Sequence, residues 1–408
     1  MERIEGGITA VQGFQTACTA AGIKYQGRVD MAMVYSTAPC KGAGTFTTNV
    51  VKAAPVLWDR DIVQKSEFAQ AVVINAGIAN ACTGAEGMGY CEQTAKAAGE
   101  LLGIPANAVF VASTGVIGKQ LPIDRIVAGT KAMVPTLSDT IEAGTAASKA
   151  IMTTDTVNKE IAVRFTVDGK EVTVGGMCKG SGMIHPNMCT MLGFIGTDIA
   201  ISKELLQEAL SEDVKDTYNM ISVDGDTSTN DTVLLMANGL AGNVEIIEKN
   251  ADYAAFVKAL HTVNEYLAKR MAEDGEGATK LFEVIVQGAE TKEQAVTLSK
   301  SIVTSSLVKA AVYGNDANWG RILCARGYSG VSFDPEKVDL FIESAEDGRI
   351  QLVASGVGTD FSEELATKIL SAKQVTAIAD IKAGNATATA WGCDLTYDYV
   401  KINADYRS

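Results

Sequence analysis

Short strand-like apolar runs, at 31–35 (MAMVY) and 44–48 (GTFTT), are broken by Pro39 and Gly42 and predict sheet in the first part of the chain. The run at 71–74 (AVVI) predicts a buried strand, 91–102 a helix of good formers, and 109–113 a strand that enters a glycine-containing loop. Ser138 or Asp139 is placed to cap a helix running toward Met152. The β-branched, polar residues 153–156 do not easily continue that helix and predict a loop or strand start. Residues 161–167 (IAVRFTV) and 170–174 (KEVTV) flank Asp168 and Gly169, a pair suited to the two-residue turn of a β-hairpin. The stretch 175–192 carries too many glycines for a helix and too few charges for a solvated linker, and predicts a buried functional loop. After it the pattern predicts a helix at 203–209, a polar stretch at 224–231, a strand at 233–236 and a long helix at 252–271. Strand 282–286, helix 292–306, strand 338–342, helix 362–370 and terminal strands then predict a separate, smaller α/β unit beginning near residue 281.

Composition narrows the class. The 408 residues suffice for two or three structural units, and 47% apolar with 21% charged residues is the balance of a folded globular chain. The net charge of −14 has the wrong sign for binding nucleic acid or anionic membrane, so neither is expected as a partner. No apolar run approaches the 18 or so residues that span a bilayer, and the start, MERIEGG, lacks the basic and apolar segments of a signal peptide. A cytoplasmic location is expected. Eight scattered cysteines form no C-x-x-C pair, so reduced thiols are expected and a metal is not.

The familiar motifs are missing. Nothing matches the phosphate-cradling G-x-x-x-x-G-K-S/T, and the glycine pairs at 87/89 and 356/358 lack the later glycine of a dinucleotide fingerprint. The acids at 224 and 226 do not complete a calcium loop, because Thr229 and Leu235 occupy its glycine and glutamate positions. No G-x-S-x-G elbow accompanies the two histidines: His261 reads as a surface or half-buried helix residue and His185, before Pro186, as a loop-packing residue. No bound cofactor is expected, so chemistry has to come from side chains and backbone. A histidine-poor enzyme can still transfer acyl groups if its nucleophile carries its own base. Cleavage before a Ser, Thr or Cys frees an α-amine whose pKa of about 8 lets it accept the hydroxyl proton near neutrality. Thr190, in the glycine-rich loop, is one candidate; an ordinary buried threonine is the plainer reading of the same residue.

A set of stretches in chain order goes further: NAGIANACTG at 75–84, STGVIG at 113–118, MTTDT at 152–156, KGSGMIHPNMCTML at 179–192, DGDTSTND at 224–231, DGEGATK at 274–280, GNDANWGR at 314–321 and NADYRS at 403–408. Over nearly its whole length the chain resembles the ornithine acetyltransferases, the bifunctional glutamate N-acetyltransferase/amino-acid acetyltransferase family of arginine biosynthesis. That resemblance implies an α/β (α+β) fold with an αββα-like core of the N-terminal-nucleophile type over residues 1–280, and a smaller C-terminal α/β domain over 281–408. It implies self-cleavage between Cys189 and Thr190 into an α chain (1–189) and a β chain (190–408), joined as an α2β2 heterotetramer. Thr190 becomes the nucleophile that carries acetyl from N-acetylornithine to glutamate, with Thr114 and Gly115 as the oxyanion hole. Thr153 or Thr154, Lys179, Thr190, Glu276, Asn403 and Ser408 are the implied substrate contacts. Lys179 suits a carboxylate and Glu276 an ammonium. Acetyl-CoA is left open as a second donor, a substrate rather than a bound cofactor. Asp316, Asn318 and Arg321 read as structural polar residues outside the site.

The family usually has Ala where this chain has Cys189; the scissile carbonyl is unchanged, so cleavage is expected, at a rate left open. A nucleophilic Cys189 is disfavoured because it would end the α chain without a base. Two rivals stay open: a self-cleaving amidohydrolase or aminopeptidase of the same type of fold, and an uncleaved binding protein that keeps the pocket.

Overall fold

The computed structural model describes residues 1–185 and 191–405. The strands are β1 (Glu2–Ile4), β2 (Phe14–Thr19), β3 (Met31–Phe46), β4 (Ala69–Ile78), β5 (Val109–Val116), β6 (Lys159–Val167), β7 (Lys170–Lys179), β8 (Leu192–Thr197), β9 (Ile221–Ser222), β10 (Thr232–Ala237), β11 (Leu281–Ala289), β12 (Asp339–Ser344), β13 (Gly348–Ala354), β14 (Val357–Gly358), β15 (Gln374–Asp380) and β16 (Ala386–Cys393). The helices are α1 (Ala54–Lys65), α2 (Glu86–Leu102), α3 (Ile123–Met133), α4 (Ile141–Ala150), α5 (Lys203–Asp216), α6 (Ala251–Glu273), α7 (Lys292–Thr304), α8 (Ser306–Tyr313), α9 (Trp319–Gly327), α10 (Glu363–Leu370) and α11 (Tyr397–Asp405). Among the described residues, no single helix is long and apolar enough to cross a membrane.

The long strand β3 organises the first sheet, whose order is β1-β6-β7-β8-β10-β3-β4-β5 with β2 also on β3. Its first half pairs with β2 and β4, its register slips between Tyr35 and Cys40, and its last residues pair with β10. The sheet thereby folds over on itself as two half-sheets. Side-chain alternation shows the layering. In β10, Leu234 and Met236 face Val34, Ile74 and Phe110 of the other half-sheet, while Val233 and Leu235 face the opposite way, onto Leu206 of α5 and Leu260 of α6. On the far side Met33, Val73 and Val111 pack against Ala95 of α2 and Ile126 of α3. Four layers result, helix, sheet, sheet, helix, which is the expected αββα arrangement of a mixed α/β fold.

The second sheet runs β14-β13-β12-β15-β11-β16-β9. Helix α6 packs on β6 and β7 with one side and on β16 and β11 with another, so it joins the two sheets through one continuous apolar core. Residue 281 opens β11; the short β9, from well before it, completes the edge beside β16.

The hairpin forms as expected, with Val167 opposite Lys170 and the turn residues Asp168 and Gly169 at φ +49° and +71°. The cap of α4 corrects the sequence reading. It is Thr140, whose hydroxyl accepts from the N–H of Ala143, because a side-chain oxygen reaches only the second or third N–H of the helix it precedes. The helix expected at 292–306 also ends early, at Thr304, where Ser305 becomes the cap of α8 by accepting from Val308 N–H.

Candidate active site

Strands β4, β5, β7 and β8 bring their C-terminal or N-terminal ends to one rim of the first sheet, and the loops there line an open cleft of about 140 Å³. Thr114, Gly115, Thr153, Thr154, Lys179, Glu276 and Asn403, separated by up to 289 positions in the chain, all line it. Cys189, Thr190 and Ser408, the remaining residues singled out from the sequence, lie outside the described residues.

Parallel pairing of β4 with β5 sets Gly77 opposite Gly115. Both have positive φ, +114° and +127°, and a Cβ on Gly115 would stand 2.3 Å from the carbonyl carbon of Gly77. Only glycine fits there, where the two paired strands come closest. Beside it the Thr114 hydroxyl oxygen accepts from Lys179 Nζ at 3.3 Å, which leaves the hydroxyl proton available to donate elsewhere.

Lys179 ends β7 and is paired across the ladder with Leu192, the first residue of β8. It is nearly buried, and Asp155 lies 3.9 Å from its ammonium. Asp155 is the hub of this side of the cleft. Its carboxylate accepts the N–H of Thr153 at 3.0 Å and of Gly180 at 2.7 Å, and takes Lys159 Nζ at 2.8 Å. Burial opposes its charge, but Lys179 and Lys159 outweigh burial and hold the carboxyl below the usual carboxylate range. Lys159 in turn donates to Asp274 at 2.6 Å, and Asp274 accepts Thr156 N–H, tying the 153–156 loop to the C-terminus of α6. The Thr154 and Ser181 hydroxyls share a hydrogen bond of 2.8 Å.

The opposite wall is Glu276, just past α6. Its N–H donates to Ser181 O at 2.9 Å, and its Oε2 accepts from Asn403 of α11 at 2.8 Å. Gly182 is glycine for a steric reason: a Cβ there would sit 2.3 Å from the Glu276 carboxyl carbon. One wall therefore offers an ammonium and the other a carboxylate, which is the charge pattern of an amino-acid ligand.

The loop 224–231, which fails as a calcium loop, serves as a brace. Asp224 accepts the N–H of Met183 at 2.6 Å and of Ile184 at 2.8 Å, and Asn230 donates to Ser113 O at 2.9 Å, so it grips both the 180–185 segment and the end of β5. His185 is fixed by Ser222 Oγ at 3.1 Å from its Nδ1, and burial, helped by Lys300, pushes its pKa down to about 4. His261 of α6 meets Asp213 of α5 at 2.7 Å, and neither residue lines the cleft. Asp316 and Asn318 bond each other and Arg321 donates to Leu307 O, which is local structure, as expected. Sequence reasoning missed Asp155, Asp231, Ser228 and Asn230 as cleft or supporting residues. The only signal was that they stand in two of the strings that carry the resemblance, 152–156 and 224–231, dense in Asp, Asn and Thr.

Against known proteins, the model of the ArgJ family matches residues 15–408. The arginine biosynthesis bifunctional protein ArgJ of Symbiobacterium thermophilum is 52% identical over 410 residues, covering 100% of both chains. ArgJ 1 of Clostridium acetobutylicum is 52% identical over 403 residues, covering 98% of this chain and 97% of that one. Among solved structures, the crystal structure of arginine biosynthesis bifunctional protein argJ from Bacillus halodurans is 51% identical with a TM-score of 0.50, covering 53% of this chain and 99% of that chain. With a matching family model over almost all of its length and relatives at half identity from end to end, the chain belongs to the ArgJ family, the acetyltransferases of arginine biosynthesis that its motifs resemble.

Proposed function

We propose that the protein cuts itself between Cys189 and Thr190 and then moves the acetyl group of N-acetylornithine to glutamate, by way of an acetyl-threonine ester. The observation that carries this is the convergence of Thr114, Gly115, Lys179, Glu276 and Asn403 on one cleft, beside the β8 strand that begins two residues after Thr190. The length of the solved relative adds support: matched over 99% of its own length, it accounts for 53% of this chain, about the share of residues 190–408.

In this reading Lys179 holds the substrate carboxylate and Glu276, with Asn403, the ammonium. The Thr190 hydroxyl attacks the acetyl carbonyl while the α-amine of the same residue takes its proton. The Thr114 hydroxyl and Gly115 N–H stabilise the oxyanion, and the proton passes to the departing ornithine nitrogen. The glutamate amine then attacks the ester and releases N-acetylglutamate. Threonine carries its own base, so the steps call on no bound cofactor. Acetyl-CoA is a candidate second donor to the same ester. The enzyme is proposed to work in the cytoplasm as two fragments of each chain in an α2β2 assembly.

Intact mass spectrometry of the purified protein beside a Thr190→Ala variant tests the first half. Two fragments meeting at 189/190 are expected, against a single chain of 42.8 kDa in the variant. N-Acetylornithine with and without glutamate tests the second half: acetyl appearing mainly on water would make the protein a hydrolase.

A further inference from the structure

The proposed route leaves one charged group of one substrate without a partner. N-Acetylornithine brings a carboxylate and an ammonium, which Lys179 and Glu276 match in charge. Glutamate brings the amine that reacts, one carboxylate for Lys179, and a second carboxylate at the end of its side chain. That second carboxylate cannot take the place of the ornithine ammonium, because Glu276 would repel it there. Once out of water it needs a cation and N–H donors of its own.

A second hollow, of about 190 Å³, adjoins the cleft, and Gly115, Thr153 and Thr154 line both. The loop between β2 and β3 brings Lys24 and Arg28 into its lining. That loop is held in shape by Asp30, which is 3% exposed and accepts the N–H of Ala21 at 2.7 Å and of Ile23 at 2.6 Å. Gly77 lets it lie close, since a Cβ there would stand 3.0 Å from Lys24 Cβ. Arg28 Nη2 donates to Met152 O at 2.7 Å and to Thr153 O at 3.2 Å, so Arg28 and Asp155, which holds Thr153 N–H, fix the same short stretch. Arg28 Nε and Nη1 donate to nothing among the described residues. Lys24 Nζ lies 5.2 Å from the centroid of the Tyr25 ring. Asp30 is the one carboxylate on the lining, and each of its oxygens is taken by a backbone N–H. The hollow therefore offers a ligand an excess of positive charge and open N–H donors, in a chain whose net charge is −14.

We propose that this hollow is an anion subsite for the side-chain carboxylate of glutamate, read by Arg28 and Lys24. The inference rests on the acetyl-transfer reading and adds to it the residues that choose the acceptor. Both substrates share Lys179 for the carboxylate they have in common and part at the side chain. The ammonium of the donor goes to Glu276 and Asn403; the second carboxylate of the acceptor passes Gly115 and Thr153 to the cations. Two side-chain subsites of opposite charge let one ester serve, in turn, two amino acids whose side chains are oppositely charged. Glutamine, the same shape without the charge, is the acceptor that such a subsite rejects.

Ping-pong transfer lets each half be read alone by isotope exchange, ornithine with N-acetylornithine and glutamate with N-acetylglutamate. Lys24→Met and Arg28→Gln, the latter keeping a donor for Met152 O, remove the charges one at a time. Each is expected to raise the KM for glutamate about 10-fold, the loss of one charge-assisted hydrogen bond, and to narrow the preference for glutamate over glutamine by the same factor. The ornithine exchange should show no matching rise. A glutamate KM and a glutamate-to-glutamine preference that stay at wild-type values in both variants would overturn the proposal. So would equal rises in the two exchanges, because the loop would then only support the cleft. Where acetyl-CoA serves as donor, a KM that rises for it and not for glutamate would assign the cations to phosphates of the donor, which also overturns the proposal. Failure of the underlying reading is visible before any variant is made, as a wild type that catalyses neither exchange, and it takes the subsite down with it.

Discussion

Lys179 shows how single side chains divide the work in the cleft. Its ammonium donates to Thr114 and is drawn toward Asp155, yet it keeps donors for a ligand. Lys179→Met retains the apolar stem and removes the charge. Loss of one charge-assisted hydrogen bond, about 1.5–3 kcal/mol, should raise the KM for N-acetylornithine and for glutamate by about 10- to 100-fold. Steady-state assays of the cleaved protein check this, and a KM within twofold of the wild type would remove Lys179 from the substrate's carboxylate. Single residues also show what a sequence conceals. Thr114, Lys179, Glu276 and Asn403 can be named from the resemblance, because each belongs to a recognisable string. Asp155 and Asp231 stand in such strings too, with nothing in the letters to give them a role. An acid in a polar string reads as solvated loop, and only the folded chain shows that Lys159 and Lys179 converge on one of them and that the other is buried at the start of β10.

The elements repeat this division. Local chemistry announces the hairpin, since Asp168 and Gly169 suit the turn whatever lies around them, and β3, β4 and β5 show apolar runs that any buried strand needs. What stayed hidden is long-range: the fold of β3 into two half-sheets, and β9 crossing to the second sheet, depend on partners far away in the chain. The docking of α7 on that second sheet carries a pH signature. Lys300 on α7 donates to Asn219 O at 2.8 Å and Ile221 O at 3.3 Å, and burial pushes its pKa down to about 7. His185 is pushed down to about 4 by burial first and by Lys300 second. A base with a lowered pKa holds fewer protons folded than unfolded, so stability rises with pH between the two values. That gives one rise from about 4 to 6.5 for His185 and another from about 7 to 10.5 for Lys300. Lys300→Met should flatten the upper rise in thermal unfolding midpoints and bring His185 nearer its ordinary value. Wild-type and variant curves that stay parallel between pH 7 and 10 would count against a proton-poor Lys300.

For the molecule as a whole, the sheet order decides what self-cleavage does. In the first sheet β7 and β3 belong to residues 1–189, while β8 and β10 between them belong to residues 190–408. A cut before Thr190 would leave the second fragment's two strands hydrogen-bonded on both sides to the first fragment: six register pairs join β7 to β8, and six join β10 to β3. The halves also share the inter-sheet core, where Leu192, Phe194, Leu234 and Met236 meet Val34, Ile74 and Phe110. Separating the fragments therefore means exposing that core, which is unfolding and not dissociation. High salt screens charges and leaves apolar burial intact, so it should not part the fragments. Size exclusion in 1 M salt, with denaturing gels of the peak, should show both fragments in one peak at every protein concentration. In a urea titration, loss of co-elution should coincide with loss of far-ultraviolet circular dichroism. Fragments that come apart on dilution while each keeps its secondary structure would mean that strands interleaved in this way do not hold the halves together, and that the cleaved enzyme is an ordinary reversible complex.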